Sequence, residues 1–317
     1  MPGSAPTRTR DGGASVTEMR VDIDGRMVKL SNLDKVLYPR TGTTKGEVLD
    51  YYARVAPAIL RQLQDRAVTR IRWPHGTGHA SFFEKNAPAG TPSWVRTVTV
   101  PTSGSRTADK REGTLTFPVA DDLATLTWMA NLAALELHVH QWRVDAAGDP
   151  VGADRIVIDL DPGAPAGLQE CSQVALLVRE TLAGHGLTAI PVLSGSKGLH
   201  LYASLPAAAE PDVATGVAKA IAEGLEVSHP RLVTATMTKA RRTGKVFMDW
   251  SQNSGSKTTL APWSLRGGDR PTAAAPVTWE EVAEGAEDPL GLEQMDFREV
   301  IRRLETFGDP FDPGSAR

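Results

Sequence analysis

From Arg155 to Met237 the hydrophobic pattern changes period in a set order. An apolar, β-branched strand pattern at 155–160 is followed by a helical repeat at 168–184, where Val174, Val178 and Leu182 share a face and Gly184 and Gly186 stop the helix. Short strand patterns come next at 188–193 and 199–203, then a helix at 212–228 and a strand at 232–237. This β-α-β-β-α-β order is the split βαβ of ferredoxin-like and RNA-recognition-like sheets, so an α+β fold around a central, mostly antiparallel sheet is expected. A hairpin-like pair, Lys245–Asp249 and Thr258–Leu265, should extend that sheet.

Upstream, Thr44 and Glu47 have capping-box spacing and Val48, Tyr52, Val55, Ile59 and Leu63 recur at helical intervals, which predicts an amphipathic helix over 44–63. Strand-like runs at Val68–Trp73, Val95–Val100 and Thr114–Val119 precede an expected helix over Leu123–Leu137, with Asp121 or Asp122 as its N-cap. The polar stretch Thr102–Gly113 reads as a mobile loop. Residues 1–27 read as a disordered tail without the apolar segment of a secretion signal. Toward the other end, Thr278 and Glu281 again have capping-box spacing at the start of an acidic helical segment. No repeat or linker divides the chain. A single unit over 28–308 is expected: an N-terminal module (28–150), an RNA-recognition-like module (151–270) and the acidic helical segment (278–308).

A chain of 317 residues, 41% hydrophobic and 23% charged, can bury a sizeable core. No apolar run approaches the ~18 residues of a membrane span. Cys171 is the only cysteine, which excludes an internal disulfide and a multi-cysteine zinc site and suits a reducing compartment; it reads as a buried structural thiol. A bacterial cytoplasmic protein is expected, with no membrane partner.

Three motifs carry chemistry. Arg155–Gly163 is an apolar strand that delivers Asp159 and Asp161 at its end, and positions i and i+2 of a strand face the same side, so both can reach one divalent cation. Asp-Pro-Gly is also a common turn. Lys245-Val-Phe-Met-Asp249 repeats the pattern, and three carboxylates meeting on one sheet suit two-metal phosphoryl transfer. A solvated strand end is the plainer reading of Asp249 alone. In Ser194-Gly-Ser-Lys197-Gly-Leu-His200, two glycines free backbone N–H groups to face an anion while Lys197 and the serines add charge and donors. The spacing is not that of a Walker A loop. A hairpin loop and a core histidine are the plainer alternatives.

Together, Asp-Leu-Asp-Pro-Gly (159–163), Ser-Gly-Ser-Lys-Gly-Leu-His-Leu-Tyr (194–202), Arg-x-Gly-Lys-Val-Phe-x-Asp-Trp (242–250) and Asn-Ser-Gly-Ser-Lys-Thr-Thr-x-Ala-Pro-Trp-Ser-Leu-Arg (253–266) resemble the polymerase domain of bacterial ATP-dependent DNA ligase D. That domain belongs to the archaeo-eukaryotic primase superfamily, with its standalone primase-polymerases, and the resemblance spans about residues 28–305. It implies a primase-like fold and a template-directed nucleotidyltransferase that extends primers at short gaps or double-strand-break ends, guided by a downstream 5′-phosphate. Asp159, Asp161 and Asp249 match the family's metal-binding carboxylates, and two divalent cations are implied, Mn²⁺ ahead of Mg²⁺. Ser194, Lys197, His200, His138 and Arg266 match its nucleotide-contacting residues. Asn32, Lys35 and Lys45 match its 5′-phosphate pocket. Phe82 and Phe83 match a pair set against the template base, and Arg242 matches a primer or DNA-end contact. Strand alternation alone would bury one phenylalanine and expose the other.

The resemblance also implies DNA, ribo- or deoxyribonucleoside triphosphates, the Ku end-binding protein and a DNA ligase as partners, on the bacterial nucleoid. No Lys-x-Asp-Gly ligase motif is present, so a standalone enzyme or an excised domain is expected. Short-gap excision repair with a separate ligase is the alternative to end joining. A metal-dependent nuclease and a non-catalytic DNA-end-binding module are the rivals from other classes.

The net charge of −3 argues at first against a nucleic-acid protein. It is unevenly spread. Residues 279–317 hold 11 acids and 4 bases, whereas 29–85 hold 10 bases and 5 acids and 239–270 hold 7 bases and 2 acids. The basic windows contain the expected phosphate contacts, so DNA affinity should fall with salt.

Overall fold

A computed structural model describes residues 18–101 and 113–314. The tail expected over 1–27 gives way at Glu18 to a hairpin, β1 (Glu18–Ile23) and β2 (Arg26–Ser31), joined by Asp24-Gly25 with both residues at positive φ. Asp-Gly suits a tight two-residue hairpin turn, and burial of Val28 anchors the hairpin to the core. Residues 1–17 and 102–112, which hold the rest of that tail and nearly all of the Thr102–Gly113 loop, lie outside the described residues.

A short pair, β3 (Val36–Tyr38) and β4 (Thr43–Thr44), leads into α1 (Lys45–Leu63). The capping box forms as the spacing predicts: Thr44 Oγ1 accepts from the Glu47 N–H and the Glu47 carboxylate accepts from the Thr44 N–H. The buried face of α1 carries Val48, Tyr51, Tyr52, Val55, Ile59 and Leu63. Tyr51 and Tyr52 donate to the Trp263 and Leu135 carbonyls, each at 2.6 Å, so the first helix is tied to chain far downstream.

β5 (Val68–Arg72), β6 (Phe82–Glu84), β7 (Thr97–Pro101) and β8 (Thr114–Pro118) follow. α2 spans Leu123–Asn131 with Asp122 as its N-cap, and so ends well before the expected Leu137. Ala133 turns through positive φ and residues 134–139 become β9 (Ala134–Val139), paired antiparallel with β5. Leu-Ala-Ala-Leu-Glu-Leu suits either period; burial against a neighbouring strand selects the extended form.

β10 (Trp142–Val144) and β11 (Pro150–Pro162) open the central sheet, followed by α3 (Leu168–Gly184), β12 (Ala189–Leu193), β13 (Leu199–Ala209), α4 (Pro211–Ser228) and β14 (Val233–Thr234). β15 (Val246–Asp249) then inserts between β14 and β11, while β16 (Thr259–Leu260) leaves to pair with β9. The hairpin expected from Lys245–Asp249 and Thr258–Leu265 is thus corrected, because its two arms join different sheets. The central order is β14-β15-β11-β13-β12-β17, where β17 is Ala275–Pro276, and the second sheet runs β16-β9-β5-β6. A 3₁₀ turn at Trp250–Asn253 redirects the chain between them. Asn253 anchors that turn, accepting from the Val157 N–H and donating to the Val157 carbonyl, both at 2.8 Å. α5 (Trp279–Glu287), with the expected Thr278–Glu281 capping box, and α6 (Phe297–Phe307) follow.

Alternation along β11 sorts its side chains. Ile156, Ile158 and Leu160 join the main core with residues of α3 and α4, each burial being worth roughly 1.5–3 kcal/mol. Val157 packs on the other face with Val192, Tyr202, Leu260 and Ala274. Leu260 belongs to β16, so this face looks toward the second sheet. Arg155, Asp159 and Asp161 share it.

Candidate active site

The insertion of β15 decides the geometry. Asp159 of β11 is in register with Asp249 of β15 across the antiparallel pair, and Asp161 lies two residues further along β11. The three acids line one cleft together with Ser194, Lys197, His200, Arg242 and Arg266. Eight of the residues singled out in sequence therefore converge from four separate segments.

The acids are held by different partners. Gln252 Nε2 donates to Asp249 Oδ2 at 3.0 Å and to Asp159 Oδ2 at 3.4 Å, bridging the two carboxylates. Behind Asp249, Lys257 Nζ donates to Ser251 Oγ, which donates to Asp249 Oδ1. Asp161 is half exposed, with Arg242 at 3.7 Å, and the Arg242 guanidinium lies 3.6 Å from the centre of the Phe247 ring. Burial, then the charges of Asp249 and Asp161, push the Asp159 carboxyl up to about 7, against the pull of Arg266 and Lys257. A divalent cation relieves the same repulsion, and carboxylate oxygens are hard donors that suit Mg²⁺ or Mn²⁺. The donor set fits such ions. Among the described residues no three His, Cys, Asp or Glu side chains form a ready-made cage.

The Ser194–Gly198 turn departs from the expected anion cradle. Ser194 is buried and its Oγ accepts from the N–H groups of Ser196, at 3.2 Å, and Gly198, at 3.1 Å. Those donors are therefore spent on the turn itself. Gly198 is required for another reason: a Cβ there would sit 1.9 Å from the Leu160 carbonyl oxygen. Lys197 remains as the turn's charge at the cleft.

His200 is buried, and burial followed by the charges of Arg266 and His138 pushes its imidazole down to about 3, so it is neutral. Its Nε2 lies 3.4 Å from Asp159 Oδ1. Arg266 donates from Nε to the Ser194 carbonyl at 3.1 Å and from Nη1 to Glu136 at 3.2 Å. His138 does not line the cleft; it sits behind it, its Nε2 2.8 Å from Glu136 Oε2. Burial would raise Glu136, but His138, Arg266 and the Gly267 N–H hold its carboxyl below the usual range. Glu136, Ser251, Gln252 and Lys257 escaped the sequence reading, although Ser251 and Gln252 follow Asp249 directly in the chain.

Asn32, Lys35 and Lys45 lie apart from the acids. Lys45 is buried, donates to the Ser31 carbonyl at 2.7 Å, and has its pKa lowered to about 8 by burial and by the charges of Lys35 and Arg72. Arg72 thus joins the cluster from β5. The first N–H groups of α1 are not free: those of Lys45 and Gly46 donate to the Lys35 and Leu33 carbonyls, each at 2.8 Å. The charge here rests on side chains rather than on the helix terminus. Arg72 is paired in register with Phe82. Both Phe82 and Phe83 are about half exposed, against the alternation that would bury one, because β6 is the edge of its sheet and neither face is covered there.

A family model for the LigD primase-polymerase domain matches residues 44–311. The chain belongs to that family. The multifunctional non-homologous end joining protein LigD of Mycobacterium bovis is 48% identical over 287 residues, 89% of this chain and 36% of the relative. The bifunctional non-homologous end joining protein LigD of Bacillus subtilis is 32% identical over 285 residues, 90% of this chain and 43% of the relative. The chain therefore spans less than half the length of these relatives. Among solved structures, the polymerase domain from Mycobacterium tuberculosis ligase D in complex with DNA superposes with a TM-score of 0.84 at 47% identity, covering 91% of this chain and 98% of that one. The primase-like α+β architecture is that of the LigD polymerase domain, and the chain is a nucleotidyltransferase of the primase-polymerase type. This sets aside the nuclease and the non-catalytic module. Among the described residues no helix is long and apolar enough to cross a membrane.

Proposed function

We propose that the chain is a template-directed repair polymerase of the bacterial nucleoid that adds nucleotides to a primer 3′ hydroxyl at short gaps or broken ends, steered by a downstream 5′-phosphate. The observation that carries this reading is the pairing of Asp159 with Asp249 in a cleft that also holds Lys197, Arg242 and Arg266. Carboxylates and cations lining one cleft suit a metal-bound triphosphate. Asp159, Asp161 and Asp249 would hold the divalent cations, Mn²⁺ ahead of Mg²⁺, which supply charge neutralisation and lower the pKa of the attacking hydroxyl.

The chain's own residues do the positioning. Lys197 and Arg266 bind triphosphate oxygens, and neutral His200 offers a hydrogen bond without adding charge. Ser194 shapes the turn, while His138 and Glu136 brace Arg266. Gln252 keeps Asp159 and Asp249 together, and Arg242 guards Asp161 on the primer side. Asn32, Lys35 and Lys45 take the 5′-phosphate, and Phe82 and Phe83 offer exposed rings for a template base, a stack worth roughly 1–3 kcal/mol.

End joining is favoured over excision repair because the relatives carry that name, and Ku and a DNA ligase are the partners it requires. The test is primer extension on a short gap, with and without the 5′-phosphate, comparing ribo- and deoxyribonucleotides under Mg²⁺ and Mn²⁺. Templated extension that is stronger with the phosphate is expected. Strand shortening without nucleotides, or extension that ignores the template, would defeat the reading.

A further inference from the structure

At the end of β11 opposite the acids lies a second polar cavity, of about 270 Å³, lined by Arg61, Arg66, Arg143, Arg155, Asp154 and Ser204 among others. Arg155 shares a strand face with Asp159 but stands four residues, or roughly 13 Å, away. Arg61 lies in the last turn of α1, roughly 24 Å along the helix from Lys45. The cavity is therefore distinct from both the acid cleft and the Lys35–Lys45 cluster.

Its charges do not balance internally. Asp154 is taken by Arg66, through two contacts at 2.6 and 2.8 Å, and by Arg143 at 2.6 Å. Arg61 is paired with Asp309 and Asp312. Arg155, only 6% exposed, meets no carboxylate: Nε donates to Gln141 Oε1 at 2.7 Å, Nη1 donates to Gln62 Oε1 at 2.6 Å, and the guanidinium stacks 4.9 Å from the Tyr202 ring centre. Its Nη2 and the Nε of Arg66 are buried without a hydrogen-bond partner among the described residues. A buried lysine in such a place could lose its proton. A guanidinium keeps its charge, so one positive charge without a carboxylate stays at Arg155, and an anion entering the cavity would meet it.

We propose that this cavity binds a phosphate-type oxyanion, free or as the terminal group of a small phosphorylated compound. Four guanidinium groups, Arg61, Arg66, Arg143 and Arg155, meet three carboxylates, Asp154, Asp309 and Asp312, and none of the three pairs with Arg155; planar N–H forks match tetrahedral oxyanions. Depth argues for a small ligand. Arg66 and Arg155 lie at the buried end, where the backbone of a duplex does not follow, while the more exposed Arg61 and Arg143 form the rim.

Ser204 supplies the test. It is the direct register partner of Arg155 on β13, so its side chain points to the same face, and it lines the cavity. Ser204→Asp would install a carboxylate where the anion sits. Calorimetric titrations of the full chain with inorganic phosphate, pyrophosphate and ribose 5-phosphate, at matched ionic strength, should show saturable binding of at least one, and the tightest identifies the source. Ser204→Asp should weaken that binding at least tenfold and raise the melting temperature in phosphate-free buffer. Should Ser204→Asp fail to fold, Arg143→Gln at the rim should weaken binding about fivefold. Saturable binding of none of the three, or binding left unchanged in every folded variant, overturns the proposal.

Discussion

The two ends of β11 present opposite charge problems on one face of one strand. At Asp159 three carboxylates crowd together, and at Arg155 four guanidiniums do. The acid end has a way out: burial and mutual repulsion push Asp159 up to about 7, so it takes a proton when no cation is present. The arginine end has none, and it is held by neutral acceptors, a ring face, the shared Asp154 and, at Arg61, by Asp309 and Asp312. The contrast teaches how like charges are tolerated inside this protein. Acids that can take up a proton crowd together at one end, and guanidiniums, which keep their charge, are met by carboxylates, neutral acceptors and a ring at the other.

The largest effect should separate the two ends by activity. Asp249→Ala should cut primer extension at least about 10³-fold while leaving DNA binding nearly intact, as expected for loss of transition-state stabilisation. Arg143→Gln should leave extension within about twofold. Gel-based extension with a parallel binding assay reads both, and equal losses at the two ends would erase the distinction.

Arg266→Ala comes next. Arg266 reaches both the Ser194 turn and Glu136, so extension should fall roughly 10–100-fold, through a raised KM for nucleotide or a lowered kcat. Steady-state kinetics across nucleotide concentration checks this.

Asp159→Asn sharpens the titration argument. An aspartate whose folded pKa lies above its unfolded value loses native stability as pH rises from about 4 to 7, because the folded form gives up its proton later. In chelator-treated protein the asparagine variant should therefore melt higher than wild type, by on the order of a few °C at pH 8, and show no such gain at pH 4. A gain of equal size at both pH values would point to packing instead.

The smallest effect tests lysine against arginine. With its pKa lowered to about 8, Lys45 is charged below that pH and neutral above it, so preference for 5′-phosphorylated gaps should decline several-fold between pH 7 and 9. Lys45→Ala should remove that preference at every pH without affecting unphosphorylated gaps. Binding measured by fluorescence anisotropy decides it.

Much of the site was legible because it is written locally. Asp159 and Asp161 follow an apolar strand, Asp249 ends another, and Thr44–Glu47 and Thr278–Glu281 announce helix starts that formed as spelled. Features that depend on partners were not. The run after Asn131 satisfied two periods, and pairing with β5 chose between them. The Ser194–Gly198 segment looked like an open anion cradle, yet its N–H groups are taken by the Ser194 hydroxyl, and beside Lys45 the first N–H groups of α1 are taken by loop carbonyls. Gln252 carries no motif of its own and matters because a 3₁₀ turn folds it back onto Asp249, while Lys257, inside the 253–266 motif, gained its place only through the Ser251 hydroxyl that it meets in the fold.

The sequence by itself determined the alternation that sends Arg155, Val157, Asp159 and Asp161 to one face, the helices that cover the other, and the residue types able to hold cations and phosphates. Only the tertiary structure decided that β15 enters between β14 and β11, which sets Asp249 opposite Asp159, and that β16 departs to the second sheet. The reason is physical: periodicity is a property of a few consecutive residues, whereas strand order and register depend on long-range pairing and burial, which no short segment encodes.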